Sequence, residues 1–444
     1  MTIPAKQRVA PSGGRRVWIV NHYASAPDRP AGTRHYELAR QLVRRGHSVT
    51  IFAAGFGHES GRETRLTSGA LHRSDWFDGV RFVWLRTIPY RGNTWRRQLN
   101  MLSFLATFVV VQTREKAPDT VVGSTVHPFA AFGGWLVAWL RGAEFVFEIR
   151  DLWPQTLVDL GAMRVGSPGE RLLRALEAFL VRRASVVITL LPGMREYLTE
   201  RGLPAHHVVY IPNGVDLAAF AGSAAAVDEP ESVKGSLQEI TRLKAEGRFV
   251  IGYLGAFGRV NRVGIIVQAA AVAERLDPGR VGVILVGEGP ERLDAERLAA
   301  TTTSVRFGPA VPKRFVPTIL RALDATVVHT TLNPVYRYGI SFNKLFEYMA
   351  AERPVVFACE SAYDPVEAMG AGRTVRPDDP ECLADAFLEL AGATPEARAA
   401  MGSAGRSYVT REHNFDHLGE TFNAVIERRS STNQGGQRAP GASR

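Results

Sequence analysis

Apolar runs of strand length alternate with amphipathic stretches of helix length along most of the chain. The runs of the first half that predict buried strands are residues 16–22, 48–52, 80–85, 119–124, 144–149, 186–190 and 208–211. Helices are predicted at residues 32–45, 100–111 and 171–182, and a further helix contains Trp135 and Trp139. Apolar strands separated by helices are typical of a parallel sheet that is covered on both faces.

The second half repeats this alternation. Its predicted strands are residues 249–254, 281–286, 305–307, 325–329 and 355–358. Its predicted helices are residues 263–276, a helix that ends before Pro354, and then 381–391, 395–410 and 415–429. We therefore predict an α/β protein in which two doubly wound, Rossmann-like domains face each other across a cleft.

Composition and turn signals divide the chain into six segments. We predict a flexible leader at 1–15, a first domain at 16–216, a linker with a short helix at 217–246, a second domain at 247–410, a terminal helix at 411–429 that returns to the first domain, and a disordered tail at 430–444. Residues 55–97 are interpreted as a variable insertion that contains a single strand, Val80–Leu85.

The apolar helix at 100–111 has two interpretations. It is apolar nearly all round and too short to span a bilayer, which suits a helix in a protein core. However, Arg96, Arg97, Arg114 and Lys116 flank it, so the helix could also lie on a membrane surface. The core position is the preferred interpretation.

The excess of positive charge is confined to the first half of the chain. The net charge is +10, and residues 1–216 carry 28 Lys and Arg against 17 Asp and Glu, whereas residues 217–444 carry 26 against 27. Because no zinc-finger spacing or RNA-binding aromatic signature accompanies this charge, we expect contact with an anionic membrane and not with nucleic acid. The two cysteines, Cys359 and Cys382, predict neither a disulfide nor a metal site, which is typical of a reducing cytoplasm.

A loop of small residues opens the helix before Pro354. Gly339 and Ser341 lie at its start, where free backbone amides and the helix dipole favour an anion. Lys344 and Glu347 are three residues apart and therefore share one helical face, so that face presents a cation and a carboxylate. The stretch fits an ordinary α/β turn with a weak surface ion pair as well as it fits a site for a phosphate and sugar hydroxyls.

Three glycine loops of the second domain are expected to meet at one rim of the cleft. They are residues 255–258, which include Gly258, residues 287–290, which begin with Gly287, and residues 339–341. Glycines allow backbone amides to approach a phosphate closely, and Arg262 would add a cation, so a diphosphate is the predicted ligand. No Asp-x-Asp motif stands at a strand end, so we expect no metal ion to be required.

Polar residues also follow the predicted strands of the first domain. Asn21 and His22 end the first strand, Gly32 and Thr33 come after it, and His127 and Asp151 follow two later strands. Since the carboxyl ends of parallel strands meet at one edge, we predict that these residues form the other wall of the cleft. The glycine fingerprint of dinucleotide-binding domains is missing, so NAD is not the expected cofactor.

The sequence resembles glycosyltransferase family 4, a family of retaining enzymes with the GT-B fold, from about residue 17 to residue 428. The motifs that carry the resemblance are 339–351 (GISFNKLFEYMAA), 151–154 (DLWP), 211–216 (IPNGVD) and 287–290 (GEGP). They are most similar to the branch that transfers aminosugars of the N-acetylfucosamine type in bacterial surface-polysaccharide synthesis.

This resemblance implies a role for each matching residue. It places Glu347 at the donor ribose, Ser341 and Lys344 at the diphosphate, and Val311 near the uracil base. Arg262 matches a basic residue at the phosphates, His127 a histidine near the transferred sugar, and Asp151 an acceptor-side polar residue. The residues implied to bind the donor are Gly258, Arg262, Gly287, Val311, Gly339, Ile340, Ser341, Lys344 and Glu347, and those implied to act in catalysis are His127, Asp151, Lys344 and Arg262.

Four positions depart from the family pattern. A family glutamate is replaced by Gly339, an arginine of the first donor loop by Ala256, a common proline by Phe342, and a Gly-Lys pair by Glu352-Arg353. The first departure removes the usual carboxylate contact to the sugar, as in the aminosugar branch.

The resemblance implies transfer of an N-acetylated sugar, with retention, from a UDP-sugar to a lipid-linked or glycan acceptor. The enzyme is expected in the cytoplasm, peripherally on the inner face of the cytoplasmic membrane, with no cofactor and no metal. Two alternatives remain: a UDP-aminosugar 2-epimerase of the same fold, and a non-catalytic scaffold that binds nucleotide sugars.

Overall fold

The computed structural model describes residues 13–28, 33–57, 61–92, 95–125, 127–159, 161–222 and 229–428. The predicted tail at 430–444, most of the predicted leader and Gly32 lie outside these ranges. The last residue of the predicted leader, Arg15, is anchored, because its guanidinium donates to the Glu144 carboxylate over 3.0 Å and to the Ile426 carbonyl over 2.6 Å.

The first domain contains ten strands and six α-helices among its described residues. Its strands are β1 (Arg16–Val20), β2 (Ser48–Ala54), β3 (Phe56–Gly57), β4 (Arg62–Glu63), β5 (His72–Phe77), β6 (Val80–Leu85), β7 (Thr120–Thr125), β8 (Glu144–Ile149), β9 (Val186–Thr189) and β10 (Val208–Tyr210). Its helices are α1 (Arg34–Arg44), α2 (Trp95–Val111), α3 (Pro128–Arg141), α4 (Gln155–Asp159), α5 (Pro168–Arg183) and α6 (Met194–Glu200).

Eight of these strands form one sheet in the order β10-β9-β8-β7-β1-β2-β6-β5. All its pairs are parallel except β5 with β6, which form a hairpin. The segment interpreted as an insertion with one strand therefore also holds β3, β4 and β5. The hairpin turn is Asp78-Gly79, where both residues have positive φ, and an Asp-Gly pair is a strong signal for such a turn.

The second domain has a smaller sheet that is parallel throughout. Its strands are β11 (Phe249–Leu254), β12 (Val281–Val286), β13 (Val305–Gly308), β14 (Ala325–His329), β15 (Val355–Ala358) and β16 (Gly372–Val375), in the order β13-β12-β11-β14-β15-β16. The helices that follow the first domain are α7 (Ala218–Ala221), α8 (Glu231–Ala245), α9 (Val263–Leu276), α10 (Arg292–Ala299), α11 (Val316–Ala322), α12 (Asn343–Ala350), α13 (Pro365–Met369), α14 (Pro380–Gly392), α15 (Pro395–Glu412) and α16 (Phe415–Glu427).

Helix α8 lies in the segment interpreted as a linker, but it is 15 residues long and packs on β11 and β13. Val233, Ile240 and Leu243 bury one face of this helix at helical spacing. Part of the segment at 217–246 thus belongs to the second domain. The abundant Glu and Lys residues of this segment make its apolar stripe difficult to recognise in the sequence.

Helices cover both faces of the first sheet. On one face, α2, α3 and α5 pack side by side, and α2 buries Met101, Phe104 and Phe108 in the core. On the other face, α16 returns from the end of the described chain and packs on α1. Within the described residues no helix is long and apolar enough to cross a membrane.

Buried residues of the two domains contact each other directly beside the cleft. The ring of Tyr197 on α6 meets the ring of Tyr338 edge to face, with centroids 5.1 Å apart. Tyr338 also donates a hydrogen bond to the Glu200 carboxylate over 2.5 Å. The Gly193 amide donates to the Tyr338 carbonyl over 2.9 Å. The segment at 190–200 is therefore fixed to the loop that precedes α12.

Candidate active site

A cleft with a volume of about 1180 Å³ lies between the carboxyl ends of the two sheets. One wall comes from the loops after β8 and β9, and the other from the loops after β11, β12, β13 and β14 together with the start of α12. This is the edge of a parallel sheet where ligands bind, so both sheets direct their loops at one space.

The backbones of two of the glycine loops are so close that neither Gly287 nor Gly289 leaves space for a side chain. A Cβ atom on Gly287 would lie 1.9 Å from the Gly255 carbonyl oxygen, and one on Gly289 would lie 2.5 Å from the Phe257 carbonyl oxygen. Gly255, Gly287 and Gly289 all line the cleft. Gly258 is not among the lining residues. Its carbonyl accepts hydrogen bonds from the Asn261 and Arg262 amides just before α9.

Lys344 brings a cation into the cleft from the first turn of α12. Its ammonium donates to the Asn261 side-chain oxygen over 2.5 Å and to the Tyr253 hydroxyl over 3.1 Å, and it lies 4.7 Å from the centre of the Tyr253 ring. These partners are neutral, and burial lowers the pKa of the Lys344 ammonium to about 7. An anionic ligand would supply the negative charge that neither of these hydrogen-bond partners provides to the Lys344 ammonium.

Arg262 lies apart from the cleft, although it was predicted to share the diphosphate with Lys344. It takes a left-handed conformation with φ of 37° before α9, and its side chain is 46% exposed. The guanidinium forms an ion pair with the Asp378 carboxylate over 2.8 Å. Arg262 is not among the residues that line the cleft.

Glu347 faces the cleft one turn after Lys344. Its carboxylate lies 3.3 Å from the Lys313 ammonium, which sequence reasoning missed. Lys313 follows the loop after β13, and Val311 of the same loop also lines the cleft. The signal for Lys313 was weak, because two basic residues after a proline resemble any solvated turn.

Ser341 and Ile340 line the cleft at the entrance to α12. The Ser341 hydroxyl accepts a hydrogen bond from the Asn213 amide over 3.1 Å, and its carbonyl accepts one from the Asn213 side chain over 2.7 Å. Asn213 belongs to the motif 211–216 at the end of the first domain. The two motifs that stand far apart in the sequence are thus hydrogen-bonded to each other across the cleft.

Gly339 lines the cleft and touches the first domain. Its φ is 103°, and a Cβ atom there would lie 2.5 Å from Cδ of Pro192. A carboxylate side chain at this position would have to displace Pro192. The glycine is therefore explained by the contact between the domains.

Asp151 and Arg150 form the opposite wall, at the end of β8. Asp151 lines the cleft. Desolvation by the surrounding protein raises the pKa of its carboxyl group, and the Arg150 charge partly offsets this effect. Arg150 lines the cleft as well as a smaller adjoining cavity of about 420 Å³. Thr33, at the start of α1, lines only that smaller cavity.

His127 and Asn21 lie below the surface of the cleft. His127 is fully buried, and its Nε2 atom shares a hydrogen bond of 2.8 Å with Nδ1 of His22. Burial, together with a smaller effect of the Arg97 charge, lowers the pKa of His127 to about 3. Asn21 donates to the Ser124 hydroxyl over 2.9 Å. Neither His127 nor Asn21 lines the cleft, and Gly32 lies outside the described residues.

The structure thus unites most of the predicted donor residues. Those that line the cleft are Gly287, Val311, Gly339, Ile340, Ser341, Lys344 and Glu347, together with Asp151 from the opposite wall. Those that do not are Gly258, Arg262, Asn21, Thr33 and His127. Over the described ranges, no three His, Cys, Asp or Glu residues are grouped so that they could hold a metal ion.

Both halves match known domain families. Residues 31–214 match a glycosyl transferase 4-like domain, and residues 248–392 match the domain of glycosyl transferases group 1. A two-domain glycosyltransferase of the GT-B fold is the class that this architecture defines, and the predicted fold is confirmed. The chain belongs to the glycosyltransferases that join these two domains.

Two curated relatives carry related assignments. WcaI of Escherichia coli (strain K12), assigned as a colanic acid biosynthesis glycosyl transferase, is 24% identical over 66% of this chain and 71% of its own length. WbjE of Pseudomonas aeruginosa, assigned as a glycosyltransferase, is 22% identical over 64% of this chain and 68% of its own.

Solved structures share the fold over almost the whole chain. Sucrose-phosphate synthase of Thermosynechococcus elongatus has a TM-score of 0.69 at 17% identity and covers 93% of this chain and 98% of its own. HepE of Anabaena, solved with UDP and glucose, has a TM-score of 0.64 at 16% identity and covers 93% and 99%.

Proposed function

We propose that this glycosyltransferase moves a sugar from a UDP-sugar to a lipid-linked or glycan acceptor, with retention of configuration, in bacterial cell-surface polysaccharide synthesis. The observation that carries the proposal is the placement of Lys344 and Glu347 on one face of α12, beside close-packed glycine loops in the cleft. HepE, which shares the fold, was solved with UDP. The assignment of WcaI supports the polysaccharide setting.

The donor would lie along the second domain. The diphosphate would occupy the space between Lys344 and the glycine loops, where backbone amides and the start of α12 add positive potential. The ribose hydroxyls would bind Glu347, and the Lys313 ammonium that now pairs with this carboxylate at 3.3 Å is within reach of the same ligand. The uracil would lie against the loop of Val311.

Departure of UDP leaves negative charge on the diphosphate, and Lys344 is placed to stabilise it without a metal ion. Proton uptake by Lys344 when the diphosphate binds restores a full ammonium at the point where charge develops. With retention, the acceptor hydroxyl attacks from the face that the phosphate leaves, and the phosphate itself accepts the hydroxyl proton. Asp151, on the opposite wall, would orient the acceptor.

An N-acetylated aminosugar is the donor sugar that we favour. The Gly339 position has no side chain that could bind sugar hydroxyls, and Pro192 occupies the space a larger residue would need. Other groups of the cleft would then recognise the sugar. An N-acetyl substituent offers them an amide for hydrogen bonds and a methyl group for apolar contact. The reaction would take place at the inner face of the cytoplasmic membrane.

The test is release of UDP from a panel of UDP-sugars, with and without an extract of bacterial membrane lipids. We expect lipid-dependent UDP release from at least one N-acetylated donor, and we expect Lys344→Ala to lower kcat by roughly 100-fold, the usual cost of losing one such donor. Tight UDP binding without UDP release from any donor would reject transfer and favour the scaffold. Sugar isomerisation without lipid would identify the 2-epimerase.

A further inference from the structure

Helices α2, α3 and α5 form one continuous layer on an outer face of the first domain. A Cβ atom on Gly133 of α3 would lie 2.8 Å from the Leu105 side chain of α2, so these two helices touch. The Trp135 ring of α3 meets the Phe179 ring of α5 edge to face at 4.5 Å. The outward side chains of the three helices therefore make a single surface, which we name the α2–α3–α5 face.

Several large apolar side chains are exposed on this face. Their exposed fractions are 43% for Leu102 and 53% for Val110 on α2, 68% for Trp139 and 53% for Leu140 on α3, and 65% for Leu172 on α5. The Trp135 and Trp139 rings are stacked with centroids 6.4 Å apart, which continues the apolar surface along α3. Exposed apolar side chains shared by adjoining helices are a feature of interaction sites.

Basic side chains also lie on or beside the three helices. Arg96, Arg114, Lys116, Arg171, Arg182 and Arg183 are all at least partly exposed on or directly beside these helices. Helices α2 and α3 contain no acidic residue. The two glutamates of α5 are both buried: Glu170 pairs with Arg174, and Glu177 accepts a hydrogen bond from Tyr197 over 2.8 Å. No carboxylate of the three described helices therefore opposes an anionic partner. Beside them, Glu115 forms an ion pair with Arg81, and Asp119 is exposed.

We propose that the α2–α3–α5 face docks on an anionic lipid bilayer, with the tryptophan and leucine side chains in the headgroup region and the basic residues on lipid phosphates. Tryptophans are suited to this boundary because their rings are amphipathic, and each Lys or Arg near an anionic surface contributes a favourable attraction. A second copy of this chain fits less well, because the symmetric contact would bring the same cations together.

One end of the α2–α3–α5 face lies next to the acceptor side of the cleft. Helix α3 begins at Pro128, immediately after β7 reaches the edge of the sheet where the cleft opens. Trp139 and Leu140, in the last turn of α3, lie toward the opposite edge of the sheet, so docking through this face would hold the first domain, and not the cleft opening itself, at a bilayer that contains the acceptor. This inference rests on the proposed function only for its biological purpose, since adsorption itself needs neither donor nor acceptor.

The experiment compares binding of the full chain to phosphatidylcholine vesicles with and without phosphatidylglycerol, by flotation. We expect strong binding only to the anionic vesicles, and its loss at high salt, because the attraction to charged lipid is screened. Arg114→Glu with Lys116→Glu should weaken binding by at least about fivefold per removed cation, the fold-change of 1 kcal/mol. Trp139→Ser with Leu140→Ser should weaken it as well.

Matched control variants come from the second domain. Leu276→Ser with Leu293→Ser removes two side chains that are 61% and 66% exposed, and Arg297→Glu reverses a charge on the same domain. These should bind vesicles as the unaltered protein does. Circular dichroism melting should show that all variants fold, since all the altered residues lie at the surface.

The outcomes separate this inference from the proposed function. Equal binding by the face variants and the controls, or no binding to anionic vesicles, would overturn the docking surface, whereas UDP release with a lipid acceptor in detergent would leave the transferase proposal standing. A dimer in sedimentation that Trp139→Ser with Leu140→Ser dissociates would likewise assign the face to a second copy and overturn the inference. Vesicle binding without UDP release would support the surface and reject the transferase.

Discussion

Lys344 shows how one side chain can be prepared for an anionic ligand. Its ammonium is held by the Tyr253 hydroxyl and the Asn261 amide oxygen, and both partners are neutral. Burial without a counter-ion lowers its pKa to about 7. The residue is therefore partly uncharged near neutral pH, and binding a diphosphate should restore its charge.

Binding of UDP should accordingly depend on pH between about 7 and 9. Above the pKa of about 7, Lys344 is mainly neutral in the free protein, so binding takes up a proton and affinity falls by at most about tenfold per pH unit. Below pH 7 this contribution becomes constant, because Lys344 is already charged. His127 does not contribute in this window, since burial lowers its pKa to about 3.

Calorimetry at pH 8 in buffers of different ionisation enthalpy measures this proton uptake directly. Lys344→Met should bind UDP more weakly and take up no proton. If Lys344→Met takes up as many protons as the unaltered protein, another group is responsible and the role given to Lys344 is wrong.

Gly339 meets two separate constraints. Its φ of 103° belongs to a region that only glycine adopts readily, and the Pro192 ring lies where a Cβ atom would be. The sequence showed only that a family carboxylate is missing here. The contact with Pro192 supplies the physical reason.

Gly339→Ala should lower the free energy of unfolding by about 2–4 kcal/mol, from backbone strain and the collision with Pro192. Gly202→Ala is the matched control, because Gly202 also has positive φ (62°), but a Cβ atom there would meet no other atom within 4 Å. It should cost about 1 kcal/mol from strain alone. Equal losses in urea unfolding would show that the Pro192 contact contributes nothing.

Helix α16 depends on close packing against α1. A Cβ atom on Gly419 would lie 2.5 Å from Cβ of Gln41, so the two helices meet at a glycine. The Gln41 side chain also donates to the Asp416 carboxylate over 2.6 Å. The helix at the end of the described chain is in this way part of the first domain.

Gly419→Ala should therefore destabilise the protein by about 1–3 kcal/mol, although alanine is the better helix former. Gly235→Ala in α8 is the control, because a Cβ atom there would meet nothing within 4 Å, and it should stabilise by about 0.5–1 kcal/mol. Thermal unfolding of the two variants measures both changes. A stabilising Gly419→Ala would contradict the close contact of α1 with α16.

The two domains are coupled by a small number of polar contacts as well as by their shared core. Asn213 joins the end of the first domain to Ser341 through two hydrogen bonds, and its carbonyl accepts a third from His413 over 2.8 Å. His413 stacks on the Phe346 ring of α12 with centroids 3.7 Å apart. The geometry of the donor loop therefore depends on residues from three distant parts of the chain.

Asn213→Ala should release the Ser341 loop without emptying the core. We expect the free energy of unfolding to fall by about 1 kcal/mol, the typical net value of one lost hydrogen bond, and UDP to bind several-fold more weakly. Asn414→Ala is the control, because it also removes one side-chain hydrogen bond, from the Asp416 amide over 3.0 Å, but lies outside the cleft lining, so UDP affinity should stay unchanged. Unchanged UDP affinity in Asn213→Ala would separate the domain contact from donor binding.

Much of the fold followed from local pattern. Strands β8, β11, β12 and β14 and helix α9 have the predicted bounds, because each is a strongly apolar run between clear turn signals. The α8 helix and the strands between residues 55 and 80 were less evident. Their apolar stripes are short or diluted by charged residues, and their place is set by the sheets on which they pack.

The sequence alone determined the two-domain α/β architecture and the α12 stretch with Lys344 and Glu347, because helical spacing and strand runs are local properties. Only the tertiary structure decided that Arg262 pairs with Asp378, that His127 is buried beside His22, and that Lys313 reaches Glu347. The tertiary structure also shows why residue 339 is a glycine, because the Pro192 ring lies where a Cβ atom would be. These contacts join residues far apart in the chain, and their geometry exists only once the sheets and domains have packed.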